Sequence, residues 1–597
     1  MAWRWRAGLL GLAALPAWAA AQQRPDTVRV PVPPAARAPD TVRAARAAPA
    51  DSLLPAPLPP PWRTPPVSAP ALGRWVLDRD SLRLHAAESL AEVLAEVPGV
   101  VALRGGGWGH AVAVGPWGLG GGRLVVEQDG WVLDPLVRPA VDPFLVPLLD
   151  LERVEVERTP TLLRLRLDPF RLASREPFSR LDGLTESVQD GRGLRGLFAR
   201  PVGPRAAFWG TYAITNSRGA ARRDELAATA ATAHLGLLLG RGWALQLETR
   251  ALGVDRRVPP ELGWPRDHAD VTGTALRLRR DAGAWRAELG VAGERVRARA
   301  DDPRPSGRAR QLWARLRAEQ GGLWVEGAGW WRALSGEARA PTAAAEARAG
   351  ARAGRLAAWA EGRWASGLGV AATAWRLAAR GGGRWAVTAD LEGGRTWLLR
   401  AGGGVAPPIV RAVPSVGWRV GLEGGARRGD VALAWVQARV DSVVPFGLVG
   451  DTAAPALRGA TVRTVEALGH LRLRGGFALE ARGTAALGVA PPPAGPRAEM
   501  RGALVYHRLH YTGNLEPRLW AEVRWRGPGR VPAVPAAPRW VDQPGYVAVA
   551  VGGVVRIIDV HVHAELENIR NDPAVADLPQ RPLGARAIVG VRWVFRN

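Results

Sequence analysis

From about Asp168 onward the chain repeats one local pattern for some 430 residues: short segments in which apolar and charged side chains alternate, separated by Gly-, Pro- or Asp-containing turns. In Trp243–Ala251, Trp243, Leu245, Leu247 and Ala251 alternate with Gln246, Glu248 and Arg250. In Leu515–Arg526, Leu515, Leu519, Ala521, Val523 and Trp525 alternate with Glu516, Arg518, Glu522, Arg524 and Arg526. Residues two apart in a strand share a face, so each segment has one apolar and one charged face. A soluble sandwich shows the same alternation. Scale separates the two, because ~10-residue alternating segments repeated without any second kind of element are the signature of a transmembrane β-barrel.

Three further observations support a barrel. The chain holds 27 Trp against 4 Tyr and 8 Phe, and many lie near segment ends, at Trp264, Trp313, Trp330, Trp331, Trp520, Trp525 and Trp540. Amphipathic rings collect at the two bilayer interfaces. No segment offers the ~20 uninterrupted apolar residues of a membrane helix. The final segment places Ala585, Ala587, Val589, Val591, Trp593 and Phe595 on one face and Arg586, Arg592 and Arg596 on the other. Charging Val591 is therefore expected to be costly, and neutralising Arg592 nearly silent. Twenty strand-like segments are distinguishable between Gly193 and Phe595, with ambiguity in Thr342–Arg380. The known size class of plugged barrels is 22 strands. Spread over ~430 residues, that number leaves ~19–20 residues per strand with its connection, and ~9–11 of these span the bilayer. Connections then average only ~8–10, with little room for long loops.

Arg4 and Arg6, the apolar run Ala7–Pro16 and the small residues Ala17, Ala19 and Ala21 form a secretory leader, so residues 1–21 are expected to be cleaved. Residues 22–72 are rich in Pro and Ala and poor in aromatics, the composition of an extended spacer without a core. Zero cysteines exclude a disulfide framework and thiolate chemistry. The net charge of +25 rests on arginine alone. A coding bias that replaces Lys accounts for it, and so does an electropositive lumen that draws in anions. The arginines are dispersed rather than gathered in a stripe, which argues against nucleic-acid binding.

Residues 73–167 have a different grammar, that of a small α/β domain. Leu90, Val93, Leu94 and Val97 form a helical stripe that Pro98-Gly99 stops. Short β-branched runs follow around Leu124–Val126 and Val154–Val156. The ordered series of Pro98-Gly99, the Arg104-Gly105 turn, Asp129-Gly130 after a strand, and a strand carrying Glu152, Arg153 and Glu155 resembles the plug domain of TonB-dependent outer-membrane receptors. The pentapeptide Asp26-Thr27-Val28-Arg29-Val30 resembles a TonB box, and Asp40–Ala44 echoes it. A short Thr/Val-rich segment in a loose tail is suited to adding a strand to a partner's sheet edge. Trp593 and Phe595 resemble the terminal signal read by the barrel-assembly machinery, although Arg596 and Asn597 follow the aromatic. One departure stands out: where the family runs through a Gly-rich segment and a final plug strand, this chain has the glycine-free Thr161–Phe170.

The resemblance implies a mainly-β protein with a large antiparallel barrel of about 22 strands over 168–597 and an α/β plug in its lumen. It also implies outer-membrane lipid, a TonB-type coupling protein and the assembly machinery as partners. Its function would be energy-coupled import of a scarce solute, a ferric chelate, cobalamin or an oligosaccharide. A passive or structural outer-membrane barrel and an exported soluble all-β binding protein are the rival readings. No phosphate loop, HExxH or nucleophile elbow is present, so no enzyme chemistry, cofactor or resident metal is expected. Asp559, His561, His563 and Glu565 share one strand face and form a polar lumen cluster, a candidate contact for a solute.

Overall fold

The computed structural model describes residues 70–596 apart from 85–88, 105–107, 111, 134–142, 147, 173–175, 219–224, 241, 258–266, 299–305, 337–340, 368, 401–408, 444–456, 489–491, 533–539, 579–580 and 583. The leader and the pentapeptide lie outside these residues. Two bodies are nested, a small mixed domain and a barrel around it.

The small domain begins with a single 3-10 turn, Pro70–Leu72. Strands β1 (Arg74–Leu77), β2 (Val100–Arg104), β3 (Val112–Pro116), β4 (Leu124–Gln128), β5 (Trp131–Leu133), β6 (Leu151–Arg158) and β7 (Leu163–Pro169) follow, with helices α1 (Arg79–Arg83) and α2 (Leu90–Leu94) after β1. Five strands form one sheet in the order β1-β6-β7-β4-β5, while β2 and β3 make a separate hairpin. The helical stripe read from sequence buries Leu90, Val93 and Leu94 against Val126, Val154, Val156, Leu163, Leu165 and Leu167 of the sheet. Asp129 (φ 48°) and Gly130 (φ 91°) form the two-residue link between β4 and β5, with Gln128 opposite Trp131. Both residues adopt the left-handed conformation that a tight hairpin turn demands, which Asp and Gly tolerate best.

The glycine-free Thr161–Phe170 does not interrupt the domain. Its central residues form β7, antiparallel to β6 and parallel to β4, at the centre of the sheet. A boundary at 167/168 therefore falls inside β7, and the first barrel strand begins only at Phe178. The spacer read as reaching residue 72 also ends earlier than expected. Leu72 is buried against Trp359 and Ala378 of the barrel wall.

Twenty-two antiparallel strands close the barrel, and Arg586–Arg596 pairs back onto Phe178–Glu186. The ambiguous Ala/Arg-rich stretch resolves into Pro341–Ala353, Leu356–Gly367 and Val370–Gly382. Burial along the strands is inverted relative to a protein folded in water. Leu247 is 40% exposed while its neighbour Glu248 is 0% exposed, and Val591 is 45% exposed against 6% for Arg592. A sandwich in water would bury the leucine and solvate the glutamate. The apolar faces point out and the charged faces point in, as a lipid-embedded barrel requires, which overturns the soluble all-β alternative.

Two residues have partners that sequence does not show. Arg592 lies on the lumen side as expected, and its Nε donates to Asp182 at 3.2 Å across the seam between the last and first strands, which argues against a silent role. Trp313 is not an interfacial ring. It lies mid-strand, turned inward and buried in the core of the small domain, with its indole N–H donating to Glu288 at 2.7 Å. Trp330 likewise packs against that core. Trp331 and Trp525 do face outward, and Trp264 lies outside the described residues.

The connections are also unevenly divided. At one end of the barrel the strands are joined by tight turns such as Gly321-Gly322, Gly354-Arg355, Arg427-Arg428 and Ile558-Asp559. At the other end the connections 487–497, 527–545 and 568–585 are longer. They carry small sheets of their own: Gly495–Pro496, Gly529–Pro532 and Trp540–Gln543 form one, and Ala576–Leu578 with Arg581–Pro582 another. The average connection length hid this asymmetry.

Candidate functional site

The candidate site is the space between the small domain and the barrel wall, and charge organises it. Asp129, at the tip of the β4–β5 turn, is buried among three arginines. It accepts from Arg171 at 2.8 Å and from Arg279, and its backbone carbonyl accepts from Arg277 at 2.9 Å. These arginines outweigh the cost of burial and hold the Asp129 carboxyl well below the usual range. Gly130 is required at the tip because a side chain there would run into Glu288 and Trp313. Arg277 and Arg279 also pair with Glu248 and Glu288 of the wall, so the cluster is closed by its own counter-charges.

The sheet's other edge is fixed in the same way. Arg376 pairs with Glu157 at 2.5 Å and with Asp390 at 2.8 Å. Arg164 makes a two-pronged bond to Glu346 at 2.8 and 3.1 Å. Arg158 pairs with Glu466, while Arg419 donates to the Arg158 carbonyl at 2.6 Å. Gly99 sits beside this group, its N–H donating to Thr484 at 3.0 Å. At φ 75° and with the Arg158 guanidinium and Glu466 beside its Cα, it has no room for a side chain.

On the opposite flank the fit is looser. A cavity of about 240 Å³ separates α2, β2 and β3 from the wall strands Leu457–Arg472, Phe477–Ala486, Ala498–His507, Leu515–Arg526 and Val560–Glu567. Its lining runs from Glu567 and Arg586 near the long-loop end to His470 and Arg518 near the tight-turn end. Above it the loop-borne residues Ala494 and Val531 pack with Val101 and Leu103 of β2 and Ala113 of β3. Apolar contact thus joins loops and hairpin at the long-loop end.

The residues singled out in the sequence fall in several places. Arg104 faces the cavity and pairs with Glu567 at 3.5 Å, and Pro98 turns the chain after α2. Arg153 and Glu155 pair on β6 at 3.1 Å, with Glu152 one residue earlier on that strand. Glu155 also accepts from Arg74 at 2.7 Å, and its neighbouring arginines hold its carboxyl down to about 2 despite burial. Gly105 and Asp26–Val30 lie outside the described residues. His561 and His563 point into the lumen and are buried, and Glu565 lines the cavity. Asp559 belongs to the turn immediately before that strand. Among the described residues, no group of three or more His, Asp and Glu is placed to hold a metal ion. Trp593 and Phe595 stack at 4.7 Å on the last strand.

Sequence reasoning missed Glu157, Arg158, Arg164, Glu346, Arg376 and Glu466. Alternation marks the barrel members of this set as inward-facing, but no local signal says which charge on the small domain each one meets.

Residues 69–165 match the family model described as TonB-dependent Receptor Plug Domain. No curated protein sequence matches significantly. In three dimensions the chain is similar to the siderophore receptor PirA from Acinetobacter baumannii, with a TM-score of 0.69 at 10% identity over 88% of this chain and 98% of that one. It is similar to a mutant of the ferric enterobactin receptor PfeA from Pseudomonas aeruginosa, with a TM-score of 0.69 at 13% identity over 88% and 98%. FpvA of P. aeruginosa, bound to a heterologous pyoverdine, gives 0.65 at 11% identity over 89% and 87%.

Proposed function

We propose that this chain, a TonB-dependent outer-membrane receptor by its plug and its 22-strand barrel, imports a ferric chelate. The observation that carries the reading is a lumen filled by a plug with its own sheet, held by buried ion pairs yet flanked by a cavity that runs along one wall. A passive pore has no use for such a stopper, and a stopper that never moves has no use for the cavity. The siderophore receptors that share the fold favour a ferric chelate over cobalamin or an oligosaccharide as the cargo.

In this reading the tight-turn end faces the periplasm. Pro70–Leu72 lies in the lumen there, with the Ala71 N–H directed at Glu423. Residues 1–21 serve as a cleaved leader and Asp26–Val30 as the segment that the TonB-type protein pairs with. Trp593 and Phe595 present the last strand to the assembly machinery, and the outward apolar faces contact outer-membrane lipid. The plug's ion pairs explain how pulling on the tail would be felt inside, since β1 joins β6 and Glu155 through Arg74.

The test is uptake of radiolabelled iron by a deletion strain and its complemented parent, using catecholate, hydroxamate and carboxylate chelates beside cobalamin and glycans. Loss of uptake of one ferric chelate class, restored by the gene, is the expected result. Loss confined to cobalamin or a glycan, or no loss at all, overturns it.

A further inference from the structure

The plug is held unequally on its two flanks. On the sheet side two ion pairs to the wall are short and dry: Glu157–Arg376 at 2.5 Å and Arg164–Glu346 at 2.8 Å, with none of their side chains more than 10% exposed. Two on the α2–β2 side are longer and wetter. Glu96–Arg482 spans 3.2 Å with 27% and 20% exposure, and Arg104–Glu567 spans 3.5 Å with 23% and 28%. Half-buried pairs part at less cost than dry ones, whose breaking strands a charge in the interior. The cavity lies along the weakly held flank, and at about 240 Å³ it falls short of the ~300–1,000 Å³ that small-molecule sites occupy. A chelate passes there only if that wall of the cavity withdraws.

We infer that the substrate crosses along the α2–β2 face of the plug. Leu90–Arg104 moves away from the wall strands Phe477–Arg526, giving up the Gly99–Thr484 hydrogen bond and the packing of Val101 and Leu103 as well, while the β4–β5 turn and β7 stay anchored. This rests on the import reading above and adds to it the route and the residues that gate it. Glu96–Arg482 and Arg104–Glu567 are the pairs that open, one midway along the cavity and one at its long-loop end. The plug then pivots on Asp129 and Glu157 rather than leaving the barrel.

The chain has no cysteine, so introduced thiols are unique. Glu96→Cys with Arg482→Cys, and Arg164→Cys with Glu346→Cys, are linked on cells by a bis-maleimide with a cleavable disulfide spacer. Linking 96 to 482 is expected to lower ferric-chelate uptake at least tenfold, with recovery on reductive cleavage, and linking 164 to 346 to leave at least half. Loss of uptake on linking 164 to 346, or full uptake with 96 linked to 482, overturns the route. Absence of uptake from the unaltered receptor as well sinks the import reading instead. Hydrogen exchange on the unaltered receptor gives an independent check. Amides of α2 and β2 must exchange faster than those of β4 and β7, and the reverse order refutes the pivot.

Discussion

The guanidinium of Arg250, on the barrel wall, lies 3.4 Å from the ring centroid of Trp131, the first residue of plug strand β5. Trp131 is buried in the plug core, and Gly273 of the wall leaves room for its ring edge. One indole therefore joins three things: the core of the plug, a barrel cation and a gap in the barrel surface. It follows directly after the Asp129-Gly130 tip, so the stacked ring and the buried carboxylate secure the same hairpin.

Trp131→Ala should loosen that anchor without harming the barrel. Loss of a buried aromatic costs about 3–5 kcal/mol, and a desolvated cation–π contact is worth about 2 kcal/mol. Limited proteolysis in detergent should cut the plug much faster than in wild type, while the heat-dependent gel shift of the folded barrel stays the same. An unchanged cleavage rate would show that the contact does not secure the plug.

On the last strand, both faces are expected to matter, for different reasons. Val591→Arg places a charge on the lipid side and should cost about 2–4 kcal/mol near mid-bilayer, less toward the interface. Arg592→Gln leaves Asp182 with one cation fewer at the closing seam, where removing one partner of a buried pair costs about 3–5 kcal/mol. Arg180 also pairs with Asp182 at 2.8 Å and should soften this loss. Denaturant titration of refolding in lipid vesicles measures both. A silent Arg592→Gln would return the residue to the role expected from sequence alone.

The plug should be most stable on the acid side of neutrality. Burial, reinforced by the Asp129 charge, pushes Asp168 up to about 7, and burial pushes Asp150 up to about 6. Because these folded values lie above the unfolded ones, the stability they contribute is complete at low pH and is lost as pH rises through about 6 and 7. Glu155 is depressed to about 2, so its contribution is present above the ordinary carboxylate range and is lost as pH falls toward that value. Protection factors of plug amides, corrected for the intrinsic pH dependence of exchange, should therefore rise from pH about 7 to about 4 and fall again in stronger acid. Asp168→Asn should flatten the neutral limb, and a limb of undiminished slope in that variant would assign it elsewhere.

Energy coupling through Asp26–Val30 is checked with proline. Strand addition draws on main-chain hydrogen bonds, so Val28→Ile should be tolerated, while Val28→Pro removes a donor N–H and restricts the residue before it. The echo at Asp40–Ala44 is expected to substitute for the first copy, so Val28→Pro with Val42→Pro is the informative variant. It should abolish uptake and crosslinking to the coupling protein, with barrel assembly intact. Normal uptake would leave a plugged barrel without TonB coupling as the better description.

The histidines of the strand Val560–Glu567 serve as a control. His563 packs against Gly590 of the neighbouring strand, and Asp559 belongs to the turn before the strand. Replacing both with Ala should change uptake less than twofold. A larger loss, with assembly preserved, would make that lumen face part of the solute path.

The sequence by itself determined the class of structure. Alternation at period two is a local property: each residue's face follows from its neighbours, so Leu247 and Glu248 must point opposite ways whatever surrounds them. The Asp129-Gly130 turn and the Leu90–Leu94 helix are equally local, being set by backbone preference and a short apolar stripe. The period does not say which face meets lipid, and the rival soluble sandwich had the same pattern. Only closure of the strand Arg586–Arg596 onto Phe178–Glu186 turned the charged faces inward and settled it. The surroundings of Trp313 and Arg592 are hidden from sequence for the same reason. Their partners, the plug core and Asp182, are set by register around the barrel and by how the plug is seated, and charges hundreds of residues apart carry no label in sequence. The Glu157–Arg376 and Asp129–Arg279 pairs, and the cavity left where such pairs are weak, exist only because one folded body sits inside another.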